Sequence, residues 1–203
     1  MLCFAAMRLF HFSDDPAIER FTPRPVRVAV ARPAGQAWLN GPLVWSIDEA
    51  HQILYLFPRE CPRILVWPTP QTRPDERRQW FADGPYRAVA HVESRWLDRL
   101  RAATVYRYEM PTASFEEVGD VGMWVSRMAV RPIGIEPIID LPGALEAEGV
   151  ELRVLEALTP LRGIWETSLH ASGIRLRNAQ DWGEPGWPHS EATASLVPEP
   201  RRP

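Results

Sequence analysis

The sequence predicts an α+β fold, a single domain with mixed and antiparallel split sheets and short helices. Three observations predict it. Runs with strand character outnumber runs with helical periodicity, and the helical runs are short and interspersed. The chain has 203 residues, 45% of them hydrophobic, enough to bury one sizeable core. The boundaries read as an N-terminal extension over 1–6, a domain over 7–182 and a Pro-rich tail over 183–203. The opening "MLCFAAM" is apolar but short and has no basic segment before it, so it does not read as a signal peptide, and Met7 reads as a natural start. The tail has little apolar periodicity and is expected to be disordered.

Each element follows from its local pattern. "RLFHFS" alternates, which puts Phe10 and Phe12 on one face, toward the core, and Leu9, His11 and Ser13 on the other, toward a concave site. "VRVAVA" is a second strand candidate, followed by the turn-rich "RPAGQAWLNGP". "LVWSI" reads as a strand meeting a Ser-x-x-Glu capping box at Ser46–Glu49, with a helix beyond it that buries Ala50, Ile53, Leu54 and Phe57 and stops before Pro58. "RILVWP" is a buried strand, "PDERRQWF" a short helix and "YRAVAHV" a strand. "ESRWLDRLRAA" is an amphipathic helix with Trp96, Leu97 and Leu100 inward. In "TVYRYEM" the alternation sets Tyr106, Tyr108 and Met110 on one face, and "GMWVSRMAV" and "IGIEPIID" read as strands. "LPGALEAEG" is a helix and "VELRVLE" a strand, "PLRGIWETSLHASG" a helix closed by Gly173, and "IRLRN" alternates as a last strand.

Composition narrows the function classes. The formal net charge of −3 argues against nucleic acid or an anionic membrane as the main partner. There is no lysine, so all 23 basic residues are arginine and neither a Schiff-base lysine nor a P-loop lysine exists. Cys3 and Cys61 form no CxxC pair, which makes the cytoplasm the expected compartment and Cys61 a small buried hydrophobe. No apolar run approaches the roughly 20 residues that span a bilayer.

The histidines, His11, His51, His91, His170 and His189, form no zinc-spaced motif, and no metal site is expected. No serine sits in GxSxG, and no GxGxxG is present. Arginine pairs flank short apolar steps at Arg127 and Arg131 and at Arg175 and Arg177, where guanidinium groups on one strand face can clamp phosphate. A backbone-satisfied buried histidine is the default reading of His11. Its company is what stands out: His-x-Ser on a first strand, an aromatic at a later strand end (Trp45), and the acidic "FEEVGD" before "MWVSRMAV".

That order resembles the ADP-ribosyltransferase superfamily, in the small bacterial form of the rifampin ADP-ribosyltransferases and DarT-like toxins. The chain also resembles an uncharacterised bacterial domain family that opens "LFHFS" and ends "IRLRNA". The first resemblance implies an ADP-ribosyltransferase-like fold, with NAD as substrate, a nucleotide as small-molecule ligand and an acceptor of unspecified identity. His11 would then hold the ribose of NAD, with Ser13 and Arg127 also binding cofactor, and Trp45 would stack on nicotinamide. Asp120, or Glu117 in its place, would be the catalytic carboxylate, stabilising positive charge that builds on the ribose as nicotinamide leaves. The sequence departs from the superfamily pattern in having Met123 and Trp124 where many members have Glu, and Trp45 in place of Tyr. Two rival readings accompany it: a non-catalytic ligand- or protein-binding relative, and a metal-assisted hydrolase using His11, His51 and His91.

Overall fold

The computed structural model describes residues 7–26, 29, 32, 35–82 and 84–183. The expected N-terminal extension, most of the "VRVAVA" strand and the expected tail from 184 onward lie outside the described residues. The strands are β1 (Leu9–Ser13), β2 (Val44–Asp48), β3 (Arg63–Trp67), β4 (Ala88–Glu93), β5 (Val105–Met110), β6 (Glu116–Glu117), β7 (Met123–Ser126), β8 (Gly134–Ile138), β9 (Val150–Leu155) and β10 (His170–Ile174). The α-helices are α1 (Pro74–Phe81), α2 (Leu97–Ala102) and α3 (Leu141–Ala147), with short 3₁₀ turns between. No helix among the described residues is long and apolar enough to cross a membrane. The fold is α+β with two sheets and few short helices, as the patterning predicts.

The chain divides into two compact units, each discontinuous in sequence: Met1–Arg59 with Asp98–Glu148, and Glu60–Leu97 with Gly149–Pro203. The first unit carries a wholly antiparallel sheet in the order β6-β7-β2-β1-β5-β8. Residues opposite one another in such a ladder share a face. Leu9 and Met110 are opposite, as are His11 and Tyr108, so these four lie together. Leu9, Tyr108 and Met110 are buried there in an apolar cluster with Phe21, Val44, Phe115 and Val130, and the His11 ring packs against Phe21. Phe21 and Val130 exchange backbone hydrogen bonds of 2.8 Å above it. The Tyr108 hydroxyl donates to the Asp15 carbonyl at 2.6 Å and accepts from the Ile18 N–H at 3.1 Å, which fixes the segment after β1.

This corrects the expected sidedness of β1. Both sheet faces are covered here: Leu9 and Phe10 are each fully buried, Ser13 is buried, and Phe12 is only half-buried, stacked on Tyr55. Phe10 has the guanidinium groups of Arg8 and Arg107 each 4.8 Å from its ring centroid, so its burial is completed by cationic side chains. The cluster over His11 occupies the side on which an open concave site is expected.

The expected capped helix after β2 also differs. Ser46 remains in the ladder opposite Trp124, and Asp48 instead accepts the His51 N–H at 2.8 Å, which starts a 3₁₀ turn over Gln52–Tyr55. Gln52, buried within that turn, donates to Glu148 and accepts from Arg107, at 2.8 and 2.6 Å.

The second unit holds the order β10-β3-β4-β9, antiparallel except for the parallel pair β4–β9. β3 and β4 are apolar on both faces, which is why "RILVW" and "AVAHV" read as unbroken runs. Ile64, Val66, Phe81, Val89, Leu158, Ile164 and Trp182 make its core. Glu93 ends β4 fully buried: one carboxylate oxygen accepts from the Gln180 and Leu158 N–H groups at 2.8 and 3.4 Å, the other from Arg95 Nε at 2.8 Å. Cys61 is buried as expected.

Two expectations fail in this unit. "PLRGIWETSLHASG" is a 3₁₀ stretch over Thr159–Glu166 followed by β10, and Gly173 is a strand residue rather than a helix cap. A Cβ there would stand 2.5 Å from Leu176 Cδ1 and 2.9 Å from Trp165 Cζ2, so the glycine is demanded by packing. "IRLRN" is not a strand beyond Ile174, because Arg175 adopts φ 57° and turns the chain into a 3₁₀ turn over Leu176–Asn178.

Two outcomes follow. Phe10→Ala is expected to cost roughly 3–5 kcal/mol of unfolding free energy, and Phe12→Ala less than half of that, which chemical denaturation of both variants checks. His91, with Nδ1 3.3 Å from the Ile64 carbonyl and its ring edge-on to Trp80, is held by burial at a pKa of about 4. The folded state therefore binds its proton more weakly than the unfolded chain, and the stability it supports above pH ~6.5 is lost as pH falls toward 4. Unfolding free energy should drop by about 2 kcal/mol from this residue between pH 7 and pH 5. His91→Asn should flatten that part of the profile, leaving the contribution of His11, whose pKa is shifted in the same direction.

Candidate functional site

The residues singled out by the sequence fall on adjacent strands of the first sheet but not into one cleft. His11 Nδ1 lies 2.7 Å from the Trp45 carbonyl, so that nitrogen carries the proton and donates, and Nε2 is the lone-pair nitrogen. The ring packs 4.5 Å from that of Phe21, and burial holds its pKa below the ordinary histidine value, with Arg59 acting in the same sense and the Trp45 carbonyl opposing. The Trp45 ring is on the other face of the sheet. Phe10 is opposite Ile47, so Trp45, two residues away, shares the Phe10 face while His11 does not. Trp45 packs against the Leu39, Leu43 and Val125 cluster.

The acidic candidates are peripheral. Asp120 is exposed in the β6–β7 turn, where its carboxylate accepts the Val121 N–H at 3.0 Å. Glu117 is exposed opposite Trp124. Arg127 is exposed, donates to Glu116 at 2.9 Å and lies 4.4 Å over the Trp38 ring. The Ser13 hydroxyl accepts the Asp15 N–H at 3.1 Å. Arg175 and Arg177 do not present a free clamp, because both face the Glu60 carboxylate, at 3.6 and 3.0 Å. His51 pairs with Asp48 at 2.7 Å beneath Gly122, His91 belongs to the other sheet, and no group of three metal-ligating side chains occurs among the described residues.

The second unit contains an open cavity of about 350 Å³ beside α1, lined by Pro68, Arg77, Arg78, Phe81, Gly84 and Tyr86 together with Ala82. Its construction starts at the helix N-terminus. Pro74 opens α1 with φ already preset, and Asp75 and Glu76 stand where the helix dipole favours negative charge. Both acids turn toward Arg73. Asp75 is 3.9 Å from it, and the buried Glu76 pairs with it while accepting the Ser168 hydroxyl and, at 2.7 Å, the Ser168 N–H. Those two donors hold the Glu76 pKa below the usual carboxylate range. With its carboxylates engaged at the first turn, α1 leaves Arg77 and Arg78 exposed and with no side-chain partner among the described residues. They stand four and three residues before Phe81, so the helical repeat brings them to the side of that ring.

The cavity rim is strained. Ala82, past the last helical residue, adopts φ 46° and ψ −136°, a conformation that a Cβ disfavours, while its N–H caps the Arg78 carbonyl at 2.8 Å. The Gly84 N–H returns to the Phe81 carbonyl at 3.0 Å, and a Cβ at Gly84 would stand only 3.2 Å from that oxygen. The turn thus folds back on the helix end and sets Tyr86 beside it.

A model for a family of unknown function, DUF6886, matches residues 10–179, most of the chain. The chain belongs to DUF6886. The match runs from within "LFHFS" to the final alanine of "IRLRNA", the two segments between which an uncharacterised family is legible in the sequence. No curated protein and no solved structure matches this DUF6886 chain.

Sequence reasoning about this DUF6886 member finds α1 but not the cavity beside it. The available signal is "RRQWF" followed by "ADGPY": two arginines one turn before an aromatic, then a tight turn delivering a second aromatic. The Glu76–Ser168 contact that ties α1 into the unit spans 92 residues, which no local pattern reports. Ala82→Gly is expected to raise stability by roughly 1 kcal/mol by removing the Cβ from a positive-φ position, read as an increase in thermal midpoint with the far-UV spectrum unchanged.

Proposed function

We propose that the protein is a non-catalytic binding protein for a small anionic ligand carrying a ring, a nucleotide in chemical class, held in the cavity beside α1. One observation carries this reading: two exposed arginines, without carboxylate partners among the described residues, line a cavity whose lining also includes Tyr86 and the buried Phe81. Guanidinium groups bind phosphate through paired N–H donors, and an aromatic face beside them gives a base or nicotinamide a stacking surface. The described lining holds neither a carboxylate nor a histidine, so binding is the chemistry it supports best.

Transfer of ADP-ribose from NAD is the second reading. It is favoured by the placement of His11, Trp45 and the β6–β7 turn on adjacent strands in the order β6-β7-β2-β1. Against it stand the opposite facing of the His11 and Trp45 rings and the exposed, peripheral Asp120 and Glu117.

Thermal-shift and calorimetric titration with ADP, ADP-ribose and NAD test both. Binding should raise the thermal midpoint. Arg77→Ala combined with Arg78→Ala should weaken it by roughly tenfold or more, and Tyr86→Ala by less, while His11→Ala and Trp45→Ala leave it unchanged. Absence of binding by all three ligands would overturn the nucleotide reading. Release of nicotinamide from NAD that is lost in Asp120→Asn or Glu117→Gln would replace it with the transferase reading.

A further inference from the structure

Phe21 and Val130 form a single antiparallel bridge, with backbone hydrogen bonds of 2.8 Å in both directions. A proline on each segment stops it from lengthening into a ladder. The next pair on one side requires an N–H from residue 23 and the next pair on the other an N–H from residue 132, and both residues are Pro. The register still places Arg20 opposite Arg131 and Thr22 opposite Ala129, on the face away from the buried Phe21 and Val130. Arg24 bridges Leu43 on the other edge of the same segment, and no bend interrupts residues 20–26. Arg20, Thr22 and Arg24 therefore alternate onto one face, all exposed and about 7 Å apart in succession.

Directly opposed residues have Cβ atoms about 5 Å apart, and like charges at such positions repel. The chain is acidic overall, at −3, yet among the described residues no carboxylate pairs with Arg20, Arg24 or Arg131, and the Thr22 hydroxyl has no partner either. Solvent-facing positions beside an isolated bridge would serve the fold as well with neutral polar residues, so the arginines break a local rule without a structural return. The backbone beneath them is held firmly. Tyr108 fixes the segment through Asp15 and Ile18, Phe21 is anchored in the apolar cluster, and Pro23, Pro25 and Pro132 preset their own φ angles. Positive groups held in place in this way lower the cost of binding an anion. Two guanidinium groups approaching from opposite sides suit the several oxygens of a phosphoryl group, whereas a carboxylate is matched by one. Thr22 and Arg24, the next positions along the face, suit a second phosphoryl group linked to the first. Ala129, opposite Thr22, leaves that side open.

We propose that this face binds the diphosphate group of a small soluble ligand, with one phosphoryl group between Arg20 and Arg131 and the next held by Thr22 and Arg24. All four residues belong to the first unit, and none lines the cavity beside α1.

The test uses the full chain carrying Arg77→Ala and Arg78→Ala, which takes the cavity arginines out of the readout. Inorganic phosphate and inorganic pyrophosphate are titrated by calorimetry and thermal shift at fixed ionic strength. Both should bind and raise the thermal midpoint, pyrophosphate roughly tenfold more tightly. Arg20→Gln and Arg131→Gln should each weaken both ligands roughly tenfold or more. Arg24→Gln should reduce pyrophosphate to the affinity of phosphate and leave phosphate unchanged. In buffer free of phosphate, Arg20→Gln and Arg131→Gln should match or exceed the thermal midpoint of their parent, because each removes a repulsion. Absence of binding by both anions overturns the proposal, as does equal affinity for the two or binding that survives Arg20→Gln and Arg131→Gln. A lowered midpoint of those variants without phosphate would also overturn it, since the arginines would then serve the fold. None of these readouts draws on the cavity arginines, so this site and the binding reading for the cavity stand or fall separately.

Discussion

The second unit depends on one buried carboxylate. Glu93 closes β4, a central strand of that sheet, and its two oxygens receive N–H groups from residues 95, 158 and 180. A charge with no solvent exposure is tolerable only when it is paired and fully hydrogen-bonded, and Arg95 with two backbone amides meets that condition. The same contacts join a segment after β9 and the segment after β10 to the end of β4. Without the carboxylate, the buried Leu158 N–H and the part-buried Gln180 N–H would lose their partner at the points where those segments dock. Glu76 plays a parallel part at the other margin of the unit, joining α1 to Ser168. Its partners there are Ser168 and Arg73, and Arg77 and Arg78 stand exposed one turn before Phe81.

How much can be read from the sequence follows from which forces are local. Alternation locates β1 and β5, and an unbroken apolar run locates β3, because these patterns report burial on one or two strand faces directly; β2, β4, β7, β8 and β9 are also legible as strand segments. Sidedness is less accessible. The alternation of "LFHFS" distinguishes two faces but cannot say that both are covered, and so it places Phe12 in the core and His11 at an open site. Capping chemistry misleads in "SIDEAHQILYLF", where Ser46 to Glu49 reads as a capping box and the ladder to β7 claims the serine. Gly173 reads as a helix stop, although its absent Cβ makes room for Leu176 and Trp165. Each miss arises where a long-range contact outweighs a local preference.

The site residues show the same division. Order along the chain groups His11, Trp45 and the acidic stretch, and the structure sets them on adjacent strands. Adjacent strands still have two faces, and a chemistry that needs a histidine and an aromatic around one ribose needs them on the same one. The link between His11 and Trp45 runs instead through a main-chain carbonyl, an interaction to which the identity of the tryptophan side chain is irrelevant.

The interleaving of the two units has a consequence for biosynthesis. The parallel pair β4–β9 joins strands separated by the whole second half of the first unit, since the chain leaves at Leu97 and returns at Gly149. As the chain emerges from a ribosome, β3 and β4 appear early, with the most continuous apolar surface in the protein, while β9 and β10, which flank them in the finished sheet, come more than fifty residues later. Neither unit can fold to completion before the other has begun. The nascent chain must therefore carry two bare, hydrophobic strands through the synthesis of residues 98–148, at a stage when unpaired strand edges favour association with other chains. A non-local assembly of this kind is slow compared with one built from local contacts, and it lengthens the time during which those edges stand exposed.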